Sequence, residues 1–164
     1  MIVDGITSTY VHGKGQAGVI IRFAADDNVV ANEGFAEYAK NIALQVAAIN
    51  CEYVDKESVP QSAIDEEKEI LVNQIKADEA NAKKPAAIID KMVTGRLGKF
   101  YEAKCLTEQS YIKDDNLTVG QYTADCAKQF GGSIKIESFY KYEKGEGLQK
   151  REDNFADEIA NMIK

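Results

Sequence analysis

Ala86 to Asp114 reads AAIIDKMVTGRLGKFYEAKCLTEQSYIKD, and its first part repeats apolar residues at steps of three and four. Residues at these steps fall on one face of an α-helix. The members of this face are Ile89, Met92 or Val93, Leu97, Phe100 and Tyr101. The pattern predicts a helix of roughly 18 residues, about 27 Å long at 1.5 Å per residue. Its apolar stripe must pack against a second element.

The segment before this helix supplies that element. Ser58, Pro60 and Gln61 have the spacing of a helix start, with a capping oxygen, an early proline and an amide three residues after the serine. The main apolar residues of the highly charged stretch that follows are Ile64, Leu71 and Ile75. Lys83-Lys84-Pro85 ends this helix. Because about three residues then join the two helices, they must run antiparallel. We predict a projecting helical hairpin, a coiled coil, over residues 59–104.

Alternating residues predict a small sheet in the rest of the chain. Ile6 to His12 and Gly18 to Ala24 read as strands, and Gly13-Lys14-Gly15-Gln16 supplies the positive φ angles of a tight hairpin between them. These glycines do not form a phosphate-binding loop, because the sequence lacks G-x-x-x-x-G-K-[ST] and no helix follows. A third strand is predicted from Ser133 to Glu143. Its alternation places Ile134, Ile136, Ser138, Tyr140 and Tyr142 on one face.

Three further helices are predicted. Asn32 can cap a helix whose stripe comprises Phe35, Ala39, Ile42, Val46 and Ile49. Thr118 and Gln121 form a capping box before a helix that ends at Gly131-Gly132. A terminal helix, Asn154 to Lys164, carries Phe155, Ile159, Met162 and Ile163 on one side. The prediction is an α+β fold: a three-stranded antiparallel sheet with helices on one face. Residues 1–58 and 105–164 form the core, and 59–104 form the inserted hairpin.

The composition of the chain argues against several classes of function. A net charge of −7 argues against direct nucleic-acid binding, which depends on lysine and arginine. No apolar run is long enough to span a membrane and no secretory signal is present, so a cytoplasmic protein is expected. Three widely spaced cysteines and a single histidine predict reduced thiols, with no disulfide, metal site or cofactor. The residues assemble no catalytic constellation, so an enzyme is not expected.

Several motifs, in order along the chain, resemble the C-terminal core, or dimerisation, subdomain of bacterial translation elongation factor Ts. They are STYVHGKGQAGVII (8–21), NIALQVAAINCEYV (41–54), KMVTGRLGKFYEAKCLTEQSYIKDD (91–115), LTVGQY (117–122) and YEKGEGLQKREDNFADEIA (142–160). The family promotes guanine-nucleotide exchange on elongation factor Tu, and this subdomain carries an inserted coiled coil. The resemblance therefore implies elongation factor Tu as the partner, with a homodimer as a further assembly.

The resemblance also implies binding residues. The tyrosine–x–histidine–glycine hairpin that contacts the GTPase in the family corresponds to Tyr10, His12 and Gly13. The terminal helix that touches the partner corresponds to Phe155, Ile159 and Met162. A second interpretation of His12, a strand-end histidine satisfied by its own fold, stays open.

Two departures from the family pattern bear on exchange. The small N-terminal helical domain and the first core repeat are not found before Met1. The nearest match to the family's threonine–aspartate–phenylalanine–valine exchange motif is Asp26-Asp27-Asn28-Val29, which lacks the threonine and the phenylalanine. We therefore expect a C-terminal segment that binds elongation factor Tu. The alternative is a binding or dimerisation module without exchange activity of its own.

Overall fold

The computed structural model describes residues 5–78, 80–81 and 84–147, and a three-stranded antiparallel sheet lies at its centre. Its strands are β1 (Ile6–His12), β2 (Ala17–Ala25) and β5 (Ile134–Glu143), in the order β1-β2-β5. The turn between β1 and β2 has positive φ at Gly13, Lys14 and Gly15, which is why a glycine-rich sequence is found there. The predicted α+β class and three-stranded sheet are confirmed.

A β-bulge in β5 reverses part of the predicted alternation. The register with β2 shifts at Glu137. Before the shift Ile136 is buried, whereas after it Phe139 packs against the core, and Tyr140 and Tyr142 are 39% and 52% exposed. The prediction that Tyr140 and Tyr142 share a face with Ile136 is therefore wrong, because one extra residue moves every later side chain to the opposite face.

Two helices cover one face of the sheet and enclose the main core. They are α2 (Glu33–Ala48) and α5 (Val119–Phe130). Asn32 Oδ1 accepts a hydrogen bond from the Gly34 N–H at 2.9 Å, and Thr118 and Gln121 form the predicted capping box. The rings of Phe23, Phe35 and Tyr38 meet with centroids 5.8 to 6.0 Å apart. The predicted caps of both helices are thus confirmed.

Short elements between the predicted ones were missed. They are the helix α1 (Asp27–Val30), a 3-10 turn (Leu106–Glu108) and a two-stranded sheet of β3 (Ser110–Tyr111) and β4 (Asp114–Thr118). Long-range hydrogen bonds hold the small sheet against α2. The side chain of Gln45, which is fully buried, donates to the Ser110 carbonyl at 3.0 Å and accepts from the Ile112 N–H at 2.8 Å. Such contacts leave no periodic pattern in the sequence.

The helices α3 (Gln61–Ala77) and α4 (Ala86–Lys104) pack together through a second apolar cluster. Its buried members are Leu71, Ile75, Ile89, Val93 and Leu97. Among the residues that the structure describes, this cluster shares no member with the main core. This separation fits the predicted hairpin over 59–104, although its assignment as a coiled coil and as an inserted domain stays a prediction.

Two details of the predicted hairpin are wrong. The first helix ends at Ala77, so residues 78–85, and not about three residues, join the two helices. Asp78 ends it because its carboxylate accepts the Ala80 N–H at 3.0 Å in a tight turn. Ser58 does not cap α3, because its hydroxyl donates to Asp55 Oδ1 at 2.5 Å, and Pro60 occupies the cap position without a side-chain bond.

Backbone pairing joins the base of these two helices to the core. The N–H groups of Glu52 and Tyr53 donate to the Lys104 carbonyl at 2.9 and 3.1 Å. Leu106 N–H donates to the Tyr53 carbonyl at 2.9 Å. The chain therefore enters and leaves the α3–α4 pair through one short, hydrogen-bonded crossing.

Replacing Ile75 tests whether the α3–α4 pair opens independently. Ile75 is fully buried in the second cluster, so Ile75→Asp should destabilise the pair by more than about 3 kcal/mol. Amide hydrogen exchange should then show lost protection in α3 and α4 and retained protection in the main sheet.

Ile70→Asp is the matched control, since Ile70 lies on the same helix and is 49% exposed. It should leave exchange nearly unchanged. Loss of protection throughout the chain in Ile75→Asp would show instead that the two clusters unfold as one unit.

Alkaline pH should destabilise the fold through its buried thiols. Burial raises the pKa of Cys51 from 9.0 to about 12 and that of Cys105 to about 11. These thiols contribute fully to the free energy of unfolding at pH values below the pKa that they have in the unfolded chain. This contribution is lost as pH rises, because the unfolded chain then releases protons that the folded chain retains. Urea unfolding should show falling stability from about pH 8 to about pH 11. The free energy of unfolding of Cys51→Ala should fall less steeply with pH than that of the unaltered chain. Equal slopes for the two proteins would contradict this account.

Candidate protein-binding site

His12 lies at the exposed end of β1, where the β1–β2 hairpin turns. It pairs with Ala17 across the hairpin. Its carbonyl accepts the N–H groups of Gly15 and Gln16 at 3.2 and 3.0 Å. The Gln16 carbonyl in turn accepts the Lys144 N–H at 2.8 Å, which ties the turn to the end of β5. The backbone of His12 is therefore held by its pairing with β2, and the turn that follows is tied to the end of β5.

Tyr10 lies beside His12 on the same face of β1, because alternate residues of a strand point the same way. Its hydroxyl lies 3.3 Å from His12 Nδ1, and the two ring centroids are 6.0 Å apart at an angle of 37°. Tyr10 is half-buried and packs against the main core, whereas His12 is exposed. The structure thus brings the predicted pair together, with one ring anchored and the other accessible.

Gly13 is the third predicted residue at this end, and its φ of 57° lies in the region that favours glycine, which Lys14 also occupies. A Cβ at Gly13 would also lie 3.3 Å from the Cβ and Cγ of Gln16. Glycine therefore keeps the turn tight directly after His12, where a larger residue would be strained.

A surface groove of about 570 Å³ continues from Tyr10 along α2. It is lined by Tyr10, Ala36, Glu37, Lys40, Asn41, Leu44 and Lys113. Lys113 Nζ donates to Asn41 Oδ1 at 2.7 Å, which connects the β3–β4 turn to α2. The groove was not predicted, because it depends on how the β3–β4 turn packs beside α2.

The segment Asp26–Val29, which includes the N-cap and most of α1, is attached to the end of α5 by its own side chains. Asp26 Oδ2 accepts the N–H and the hydroxyl of Ser133 at 2.8 and 2.9 Å. Asn28 Nδ2 donates to the Gly131 carbonyl at 2.9 Å, and Val29 is fully buried. Three of the four side chains in the nearest match to the exchange motif therefore make contacts within the fold.

The face of the main sheet that α2 and α5 do not cover is partly apolar. Val11 is 68% exposed, Tyr140 is 39% exposed and Tyr142 is 52% exposed. Ile20 pairs with Tyr140 in the same ladder and is half-buried. We refer to these four residues as the outer sheet face. The sequence pattern missed it because the bulge at Glu137 was not predicted.

The predicted terminal helix, with its predicted partner-binding residues, lies outside the described residues. These residues are Phe155, Ile159 and Met162. Their part in binding stays a prediction.

The thiols are poor candidates for chemistry. Burial raises the pKa of Cys126 as well as those of Cys51 and Cys105, so all three stay protonated near neutral pH and are weak nucleophiles. Within residues 5–78, 80–81 and 84–147, no cluster of three histidine, cysteine or acidic side chains could hold a metal ion. In the same ranges, no helix is long and apolar enough to cross a membrane.

Comparison with known proteins identifies the family. The family model "Elongation factor TS" matches residues 2–146. Elongation factor Ts of Desulforamulus reducens is 43% identical over 162 residues, which are 98% of this chain and 73% of that protein. Elongation factor Ts of Alkaliphilus oremlandii is 40% identical over 161 residues, 98% of this chain and 72% of that protein. Elongation factor Ts of Clostridium botulinum, strain Alaska E43, is 38% identical over 160 residues, 98% of this chain but 50% of that protein. The chain belongs to the elongation factor Ts family.

Proposed function

We propose that this chain binds elongation factor Tu through the end of the β1–β2 hairpin, where Tyr10, His12 and Gly13 lie. The observation that carries the proposal is an exposed histidine on a backbone that is fixed by pairing with β2 and by the hydrogen bonds of the turn. A preorganised backbone loses little freedom when a partner binds. Family membership supports the choice of partner.

Binding alone is enough for such a factor to act. A protein that binds the nucleotide-free GTPase more tightly than the nucleotide-bound form weakens nucleotide binding by the same factor. This linkage uses no general acid, base, metal or cofactor of the factor itself. A surface of hydrogen-bonding and apolar groups is therefore sufficient for the proposed role.

This chain is proposed to bind without strongly driving exchange. A contact that is equally strong in both nucleotide states shifts neither state, however tight it is. The nearest match to the exchange motif, Asp26-Asp27-Asn28-Val29, lacks its threonine and has Asn28 in place of its phenylalanine, and it looks like the equivalent segment of the second repeat. The Asn28 amide bonds to Gly131 and the Asp26 carboxylate bonds to Ser133. These side chains support the fold of the chain itself and are not left free for the partner. We therefore expect the hairpin end to bind the two nucleotide states of the partner with mostly equal affinity.

Phe155, Ile159 and Met162 are proposed to contribute a second contact with the same partner. This part of the proposal rests on the family resemblance of the segment 142–160. It can be tested separately from the hairpin end by Ile159→Ala.

Replacing His12 tests the proposed contact. His12→Ala should weaken binding to elongation factor Tu by about 1 to 2 kcal/mol if the imidazole is a buried interface contact. Because His12 is exposed in the free chain, its thermal unfolding midpoint should change little. Titration calorimetry against GDP-bound and nucleotide-free partner should give similar weakening for both.

Thr7→Ala serves as the control, since Thr7 is an exposed residue of the same strand on its other face. It should bind like the unaltered chain. Unchanged affinity in His12→Ala would contradict the proposed site, and a strong preference for the nucleotide-free partner would contradict uniform binding.

A second candidate function is self-association through the outer sheet face. The observation that favours it is the exposure of Val11, Tyr140 and Tyr142 beside Ile20 on one side of the sheet. Exposed apolar patches of this kind often mark protein–protein contacts. A homodimer would cover both copies of this face.

Tyr140→Glu tests this second function. It places a charge on the outer sheet face, so it should shift a dimer to monomers in sedimentation velocity runs over a range of concentrations. Ile112→Glu is the control, because Ile112 is 45% exposed at the β3–β4 turn, away from this face. A monomer at every concentration in the unaltered chain would exclude self-association through this surface.

A further inference from the structure

We infer that Tyr10 is a positioning residue, which fixes the imidazole of His12 so that Nε2–H is the donor presented to the partner. The inference rests on the proposed function and assigns a separate role to each member of the pair. His12 makes the contact, and Tyr10 acts through His12.

Tyr10 and His12 are packed differently, as a positioning residue and a contact residue should be. Tyr10 is half-buried: it packs against the main core and also lines the groove along α2. His12 lies one alternation further along β1, beyond the cover of the helices, and is exposed. The packed ring of Tyr10 can restrain the orientation of the exposed ring of His12. The exposed ring of His12 cannot restrain Tyr10 in the same way.

The backbone of His12 is already fixed, so Tyr10 can restrain only its side chain. Its carbonyl is bonded to Gly15 and Gln16, and β1 pairs with β2 as far as His12 and Ala17. The side-chain torsions are the remaining freedom. In the described part of the chain, the Tyr10 hydroxyl at 3.3 Å is the hydrogen-bond partner of the His12 ring.

The direction of this bond and the tautomer of the imidazole determine each other, and the inference takes the phenol as the donor. A neutral imidazole has one nitrogen that donates and one that accepts, and the bond at one nitrogen determines the state of the other. The phenol is next to Nδ1. If it donates there, the proton lies on Nε2, on the far side of the ring from Tyr10. The partner group for His12 is then a hydrogen-bond acceptor, either a backbone carbonyl or a carboxylate.

Nuclear magnetic resonance of the free chain tests the tautomer. The sequence contains a single histidine, so its imidazole nitrogen signals are unambiguous in an untagged protein. At alkaline pH, where an imidazole is neutral, the unaltered chain should show a protonated Nε2 and an unprotonated, hydrogen-bonded Nδ1. Tyr10→Phe should shift the Nδ1 signal, because it removes only the hydroxyl. A protonated Nδ1 in the unaltered chain, or no shift in Tyr10→Phe, would overturn the inference.

A double-mutant cycle against elongation factor Tu tests the role in binding. Tyr10→Phe should weaken binding by about 3- to 10-fold when His12 is present. It should change binding by less than about 2-fold in the His12→Ala background, because a residue that acts through His12 has no effect without it. Tyr53→Phe is the matched control at the base of the α3–α4 pair and should alter neither the nitrogen signals nor the affinity. Thermal midpoints of all variants should agree closely.

The outcomes separate this inference from the proposed function. If His12→Ala weakens binding and the effect of Tyr10→Phe is the same in both backgrounds, Tyr10 contacts the partner itself and the positioning role is wrong. If His12→Ala leaves binding unchanged, the proposed site fails and the binding role of Tyr10 fails with it. Coupled effects together with the Nδ1 shift support the assignment.

Discussion

The pairing of β2 on both of its edges is the constraint on which the rest of the structure depends. β2 is the middle strand, and its residues Val19, Ile21 and Phe23 are at most 2% exposed. The same pairing that buries them sets the register of β1, and so places Tyr10 and His12 on the helix-covered face. A slip of one residue would move both side chains to the other face. The core and the candidate binding site are therefore fixed by one set of hydrogen bonds.

The crossing at the base of α3 and α4 is a second constraint, since it determines how this pair joins the core. Besides the backbone bonds, Lys56 forms an ion pair with Glu108 at 2.7 Å and lies over the ring of Tyr101. These are exposed contacts, and each contributes little by itself. The backbone bonds from Tyr53 and Glu52 to Lys104 are shared by the incoming and outgoing segments. The α3–α4 pair thus has its own apolar cluster and a defined attachment.

Local periodicity and capping predicted most of the helices. The stripes of α3 and α4, the cap at Asn32 and the glycine turn after His12 follow from spacing alone. The predicted stripe of α2 holds except for Ile49, which lies past the end of the helix and is 37% exposed, and the predicted cap at Ser58 was wrong. The sequence was insufficient where contacts between distant residues decide. The bulge at Glu137, the end of α3 at Ala77 and the small β3–β4 sheet held by Gln45 have no periodic signal. At the site, motif resemblance selected Tyr10 and His12. Their hydrogen bond and the neighbouring groove required coordinates.

The proposed binding contact and the nearest match to the exchange motif lie in different parts of this chain. The hairpin end presents an exposed His12, whereas the segment with Asp26 and Asn28 is bonded to the end of α5. The most direct test is the release of fluorescent GDP from elongation factor Tu after addition of excess chain, with binding followed in the same sample by anisotropy. The account predicts a bound complex whose release rate stays within about 3-fold of the spontaneous rate, since uniform affinity shifts no equilibrium. Acceleration by about 100-fold or more would contradict it, because that requires a large preference for the nucleotide-free form.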